Sequence, residues 1–168
     1  MANVRSFSTP YSLPASDQTA RLRVFSDGMV RAIPKSACID FRLPGAGVLV
    51  APRKGYADRN NESVDMPVID AQPPGTVKSE FKIPAGEPVA FVYNRDGCYN
   101  RFTFVPKPGA DYELNASGVQ IVRCRPGNFR TGRSRANLCL WAKVKCVDSP
   151  TITSRRSGQV KVCGNSAP

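Results

Sequence analysis

The chain has 168 residues, six cysteines, no histidine and a formal net charge of +11. It is long enough for one domain with a substantial core. The lack of histidine excludes a Ser-His-Asp triad, a Cys-His dyad and any histidine general base, and no apolar run approaches the roughly 18 residues of a membrane-spanning helix.

Residues 1–19 are rich in Ser, Thr, Pro and Ala with no sustained period, which predicts an extended flexible arm or tether ahead of a single domain at 20–168. From residue 20 the pattern becomes β-like. Ala20, Leu22 and Val24 alternate with Arg21 and Arg23, and Asp27-Gly28 separates this run from Met29–Ile33, which predicts a hairpin. Further strands are expected at 36–41, 47–51 and 77–83. In the last of these, Val77, Ser79, Phe81 and Ile83 alternate with Lys78, Glu80 and Lys82, the pattern of a sheet with one buried face. A second hairpin is expected where Asp96-Gly97 separates 89–93 from 98–104.

Residues 54–76 interrupt the rhythm as a long polar connection, with Met66 to Ile69 offering apolar anchorage. Strands at 112–114, 119–124, 138–147 and 159–163 complete the series. Pro-Gly pairs at 44–45, 74–75, 108–109 and 126–127 supply turns. No helical stripe persists, so the expected fold is all-β: an antiparallel β-sandwich of about nine strands with little or no helix.

Cys38, Cys98, Cys124, Cys139, Cys146 and Cys163 are an even number spread over most of the chain, which reads as disulfide stapling in an oxidising compartment. A zinc site is disfavoured because the closest pair, Cys139 and Cys146, has six residues between its members and no histidine is available; no metal or cofactor is expected. If 138–147 is one strand, Cys139 and Cys146 lie about 23 Å apart and cannot pair. A Cys124–Cys139 bridge would close the neck of the segment between them.

That segment carries the strongest functional expectation. Residues 1–100 hold 12 Lys/Arg and 10 Asp/Glu, whereas residues 101–168 hold 12 and 3, so the C-terminal part is charged +9. Within it Arg123, Arg125, Arg130, Arg133 and Arg135 surround one aromatic, Phe129, with no acid among them. Arginine's planar fork suits carboxylates and phosphates, so these six residues are the candidate binding site, although runs of like charge are also common on simply solvated faces.

The order of Val24-Phe25-Ser26-Asp27-Gly28, Ser36-Ala37-Cys38, Ile83 to Pro88, Cys98, Phe104 to Tyr112 and a strand ending in Cys124 resembles small periplasmic lipoproteins of Gram-negative bacteria over roughly residues 20–124. The resemblance implies a tether leading from a lipidated cysteine to a β domain. It also implies either an immunity protein that neutralises a periplasmic toxin or a component of an envelope assembly. This chain has no cysteine before Cys38, and bridged cysteines require an export signal that the first residues do not contain.

The resulting expectation is a non-enzymatic binding protein of the bacterial envelope, periplasmic, outer-membrane anchored or secreted, that docks an acidic protein or envelope component through its basic C-terminal face. Binding of nucleic acid or anionic polysaccharide is an alternative, with Tyr99, Phe102 and Phe129 as stacking surfaces; disulfides argue against a nucleic-acid compartment. A carboxylate enzyme acting on polysaccharide through Asp65 and Asp70 is the third reading, and solvated loop acids are the plainer account of those two.

Overall fold

The computed structural model describes residues 8–53, 55–68, 71–95, 98–116, 138–141 and 145–146. Its named elements are all strands. Seven of them lie between Thr19 and Ala116: β1 (Thr19–Ser26), β2 (Met29–Ile33), β3 (Gly47–Val50), β4 (Val77–Pro84), β5 (Val89–Arg95), β6 (Cys98–Phe104) and β7 (Asp111–Ala116). They form a three-stranded sheet β4-β1-β7 and a four-stranded sheet β3-β2-β5-β6, and two short segments, β8 (Leu138–Trp141) and β9 (Lys145–Cys146), add one strand to each.

Alternation builds the core. Leu22 lies opposite both Phe81 and Tyr112, and Val24 opposite Leu114, so one face of β1 continues across its two neighbours. The other sheet answers with Val30, Ala32, Val89, Phe91 and Tyr93, all buried in the same cluster. Aromatic rings join the layers: Phe91 stacks on Phe102 at 4.9 Å and on Phe104 at 5.7 Å, and Phe104 meets Tyr112 of the facing sheet at 5.0 Å. Burial of this kind is the main stabilising contribution, about 25 cal/mol per Å² of apolar surface removed from water.

Asp96-Gly97 joins a paired hairpin, since Arg95 faces Cys98 and the ladder continues to Val89 and Phe104. Asp27-Gly28 does not: β1 pairs with β4 and β7, whereas β2 pairs with β3 and β5. The first Asp-Gly therefore carries the chain from one sheet to the other. A two-residue hairpin of the common type needs positive φ at both central positions, and neither Asp27 nor Gly28 has it. Instead the Ser26 hydroxyl accepts from the Gly28 N–H at 3.1 Å and donates to the Ala116 carbonyl at 2.8 Å, tying the corner to β7.

Three further expectations are corrected. The sandwich is not wholly antiparallel, because β7 reaches β1 from the other sheet and pairs with it in parallel, as β8 does with β7. Residues 36–41 do not form a strand. Ile39, Phe41 and Leu43 lie over Ile33, Ala90 and Val92 on the outer face of the β2–β5 sheet, with the Arg31 guanidinium 3.9 Å above the Phe41 ring. Finally, 138–147 is not one strand, since its two ends pair with different sheets. The strands expected at 119–124 and 159–163 lie outside the described residues.

Of the segment read as an arm, residues 8–19 are described, and Tyr11 among them contributes to the core. Val48 donates to the Thr9 carbonyl at 2.9 Å and accepts from the Tyr11 N–H at 2.8 Å. Tyr11 is 1% exposed, packs edge-on against Phe81 and donates its hydroxyl to the Lys82 carbonyl at 3.0 Å.

Candidate functional site

Arg123, Arg125, Phe129, Arg130, Arg133 and Arg135, the expected binding residues, all lie outside the described residues, as do Cys124, Cys163 and Asp70. Their segment begins after Ala116 at the end of β7 and ends before Leu138 at the start of β8, two strands that lie side by side and parallel. Of the proposed stacking residues, Tyr99 is 37% exposed, with the Arg101 guanidinium 5.2 Å from its ring. Phe102 is half-buried and stacks on Phe91 at 4.9 Å, against the core.

What the fold brings together among the described residues is a charged ladder on the outer face of the β4-β1-β7 sheet. Register sets Arg23 of β1 directly opposite Glu80 of β4 and Glu113 of β7, and sets Arg21 opposite Asp111. Arg23 donates through Nε and Nη2 to Glu80 Oε1 at 3.0 and 2.8 Å, and its Nη1 lies 3.9 Å from Glu113. Arg21 holds Asp111 in a two-point fork at 2.7 and 2.8 Å, the geometry that makes arginine–carboxylate pairs strong.

Alternation placed Arg23 and Glu80 on the face opposite the core, yet both are buried because residues 59–67 fold over them. Glu80 Oε2 accepts from the Ser63 hydroxyl at 3.0 Å and from the backbone N–H groups of Val64 at 3.0 Å and Met66 at 3.2 Å. Arg23 Nη2 donates to the Pro67 carbonyl, and Arg21 Nη1 to the Asp65 carbonyl at 2.8 Å. One ion pair thus supplies donors and acceptors to a loop with no ladder of its own. Ser79 adds to this by donating to the Arg59 carbonyl and accepting from the Glu62 N–H.

Chemically this cluster is closed. Burial alone would push the Glu80 carboxyl up, but the Val64 N–H, the Arg23 guanidinium, the Met66 N–H and the Ser63 hydroxyl outweigh it and hold the group at about 2. A carboxylate so held is no general acid near neutrality, and both oxygens are already occupied. Burial raises the carboxyl of Glu113, against the opposing pull of Arg23. Asp65 is exposed, and its backbone carbonyl is the atom that Arg21 uses.

At one end of the sandwich a cleft of about 50 Å³ lies between Asp27, Met29, Arg53, Tyr56 and Arg95. It has room for only one or two waters. Asp27 there accepts from the Tyr93 hydroxyl at 2.7 Å and pairs with Arg95. No three His, Cys, Asp or Glu side chains converge among the described residues in a way that could hold a metal ion. Cys38 is disulfide-bonded. No known family, curated protein or solved structure matches the chain.

Proposed function

We propose that this chain is a non-enzymatic, disulfide-stapled binding module of the bacterial envelope, which docks an acidic macromolecule through the basic segment after residue 116. The observation that carries this reading is the partition of charge between the body and that segment. Residues 1–116 hold 14 Lys/Arg and 12 Asp/Glu, whereas residues 117–168 hold 10 and 1. In the body, opposite charges are largely set against each other: Arg21 with Asp111, Arg23 with Glu80, Arg42 with Asp40, Arg59 with Glu62 and Arg95 with Asp27. The later segment has almost no acid of its own. Its field is left to act on other molecules, where it speeds encounter and favours acidic surfaces.

The test is affinity capture from periplasmic extract under non-reducing conditions. The intact chain is compared with a variant in which Arg123, Arg125, Arg130, Arg133 and Arg135 are all changed to Gln. The reading expects an acidic envelope protein that is retained by the intact chain, lost with the variant and released as salt rises. Equal capture by both proteins, or capture of none, overturns it. Competition by heparin or by DNA at low concentration would instead favour an anionic polymer as the ligand.

A further inference from the structure

We infer that Cys98 and Cys146 are joined by a disulfide that fastens the basic C-terminal part of the chain to the β2–β5–β6 sheet. β9 is only two residues long, and its register on β6 sets Cys146 directly opposite Cys98. Directly opposed residues of an antiparallel pair have Cα atoms about 4.5 or 5.5 Å apart, depending on whether they exchange backbone hydrogen bonds. Both values fall within the roughly 4.4 to 6.8 Å that a disulfide spans. A two-residue strand has little ladder to hold it at a sheet edge, and a covalent bond at one of its two residues supplies what the ladder lacks.

The remaining cysteines are consistent with this pairing by position. Cys38 is disulfide-bonded, and its place in the fold sets it far from Cys98. Ser36 donates its backbone N–H to the Pro88 carbonyl, and its side chain holds the Cys38 backbone, so Cys38 belongs to the end of the sheet where β5 begins. Cys98 lies opposite Arg95, where β5 ends. Six residues of strand separate the two ends by about 20 Å, and the two residues from Ser36 to Cys38 span at most about 7 Å of that. Cys139 belongs to the other sheet, where its register partner is Glu113.

Formation of the bond balances as thiol–disulfide exchange. The Cys98 and Cys146 thiols give up two protons and two electrons, and the disulfide of an oxidising protein carrier receives them and leaves as a dithiol. The experiment is a disulfide map of the full chain made in an oxidising compartment, with free thiols alkylated before tryptic digestion without reductant. The expected result is a linked pair of peptides, residues 96–101 with residues 146–155, that separates on reduction. A Cys98→Ser variant is expected to leave Cys146 as the one alkylated cysteine while the Cys38 bridge is unchanged. Cys98 linked to any other cysteine, Cys98 and Cys146 both alkylated in the parent chain, or Cys146 bridged elsewhere in the variant would each overturn the inference.

Discussion

Arg23 and Glu80 face each other in register on adjacent antiparallel strands, with side chains only 4% and 2% exposed, on the face of the sheet turned away from the core. The pair organises the longest connection in the described chain, since four of its hydrogen bonds run to residues 63–67.

Removing one member of a buried pair strands the other, which costs about 3 to 5 kcal/mol, whereas replacing both with apolar groups of similar volume is often neutral. Glu80→Ala is expected to destabilise the fold by that amount in urea denaturation and to speed amide exchange at Val64 and Met66. The double change Arg23→Met with Glu80→Leu should recover most of the global stability while leaving those two amides fast. Slow exchange at both amides in Glu80→Ala would contradict the anchoring role.

Acid provides an independent check. Glu80 titrates at about 2 in the folded chain against an ordinary value of 4.5. Because the folded value is depressed, the stabilisation is fully present above pH 4.5 and is lost as the pH falls from there towards 2. It amounts to at most about 3 kcal/mol. Glu113, shifted the other way, favours the folded state slightly as pH falls and offsets part of this. The stability difference between the parent and Glu80→Gln should therefore shrink between pH 5 and pH 3; a constant difference would refute the assignment.

At the sheet-crossing corner, a Cβ added to Gly28 would lie 2.7 Å from both the Asn94 carbonyl oxygen and the Tyr93 ring. Gly28→Ala should lower stability by about 1 to 3 kcal/mol, the usual cost of overpacking. A hairpin turn exposed to solvent would tolerate the change far better, so a thermal melt separates the two descriptions of this Asp-Gly.

The N-terminal segment should behave as part of the domain. Tyr11→Ala removes a fully buried ring and is expected to cost about 3 to 5 kcal/mol. Gly47→Ala would set a Cβ 2.5 Å from the Pro10 backbone and should displace the segment from β3. Faster exchange at the Tyr11 and Val48 amides in Gly47→Ala would report that displacement. Melting temperatures for Tyr11→Ala that match the parent would show that the segment is dispensable.

The all-β class and most strand positions were legible in the sequence, because a strand turns successive side chains to opposite faces. Runs such as Ala20, Leu22, Val24 and Val89, Phe91, Tyr93 display this locally. The Asp96-Gly97 hairpin was legible for the same reason, since its two strands are neighbours in the chain. The basic segment was visible as charge alone. Neither the sheet change at Asp27-Gly28 nor the burial of Glu80 had a local sign. Arg23 meets Glu80 across 57 positions, and Arg21 meets Asp111 across 90. Alternation identifies the two faces of a strand, but whether the second face meets water or a folded-over loop depends on contacts far away in sequence, and only the tertiary structure decides them.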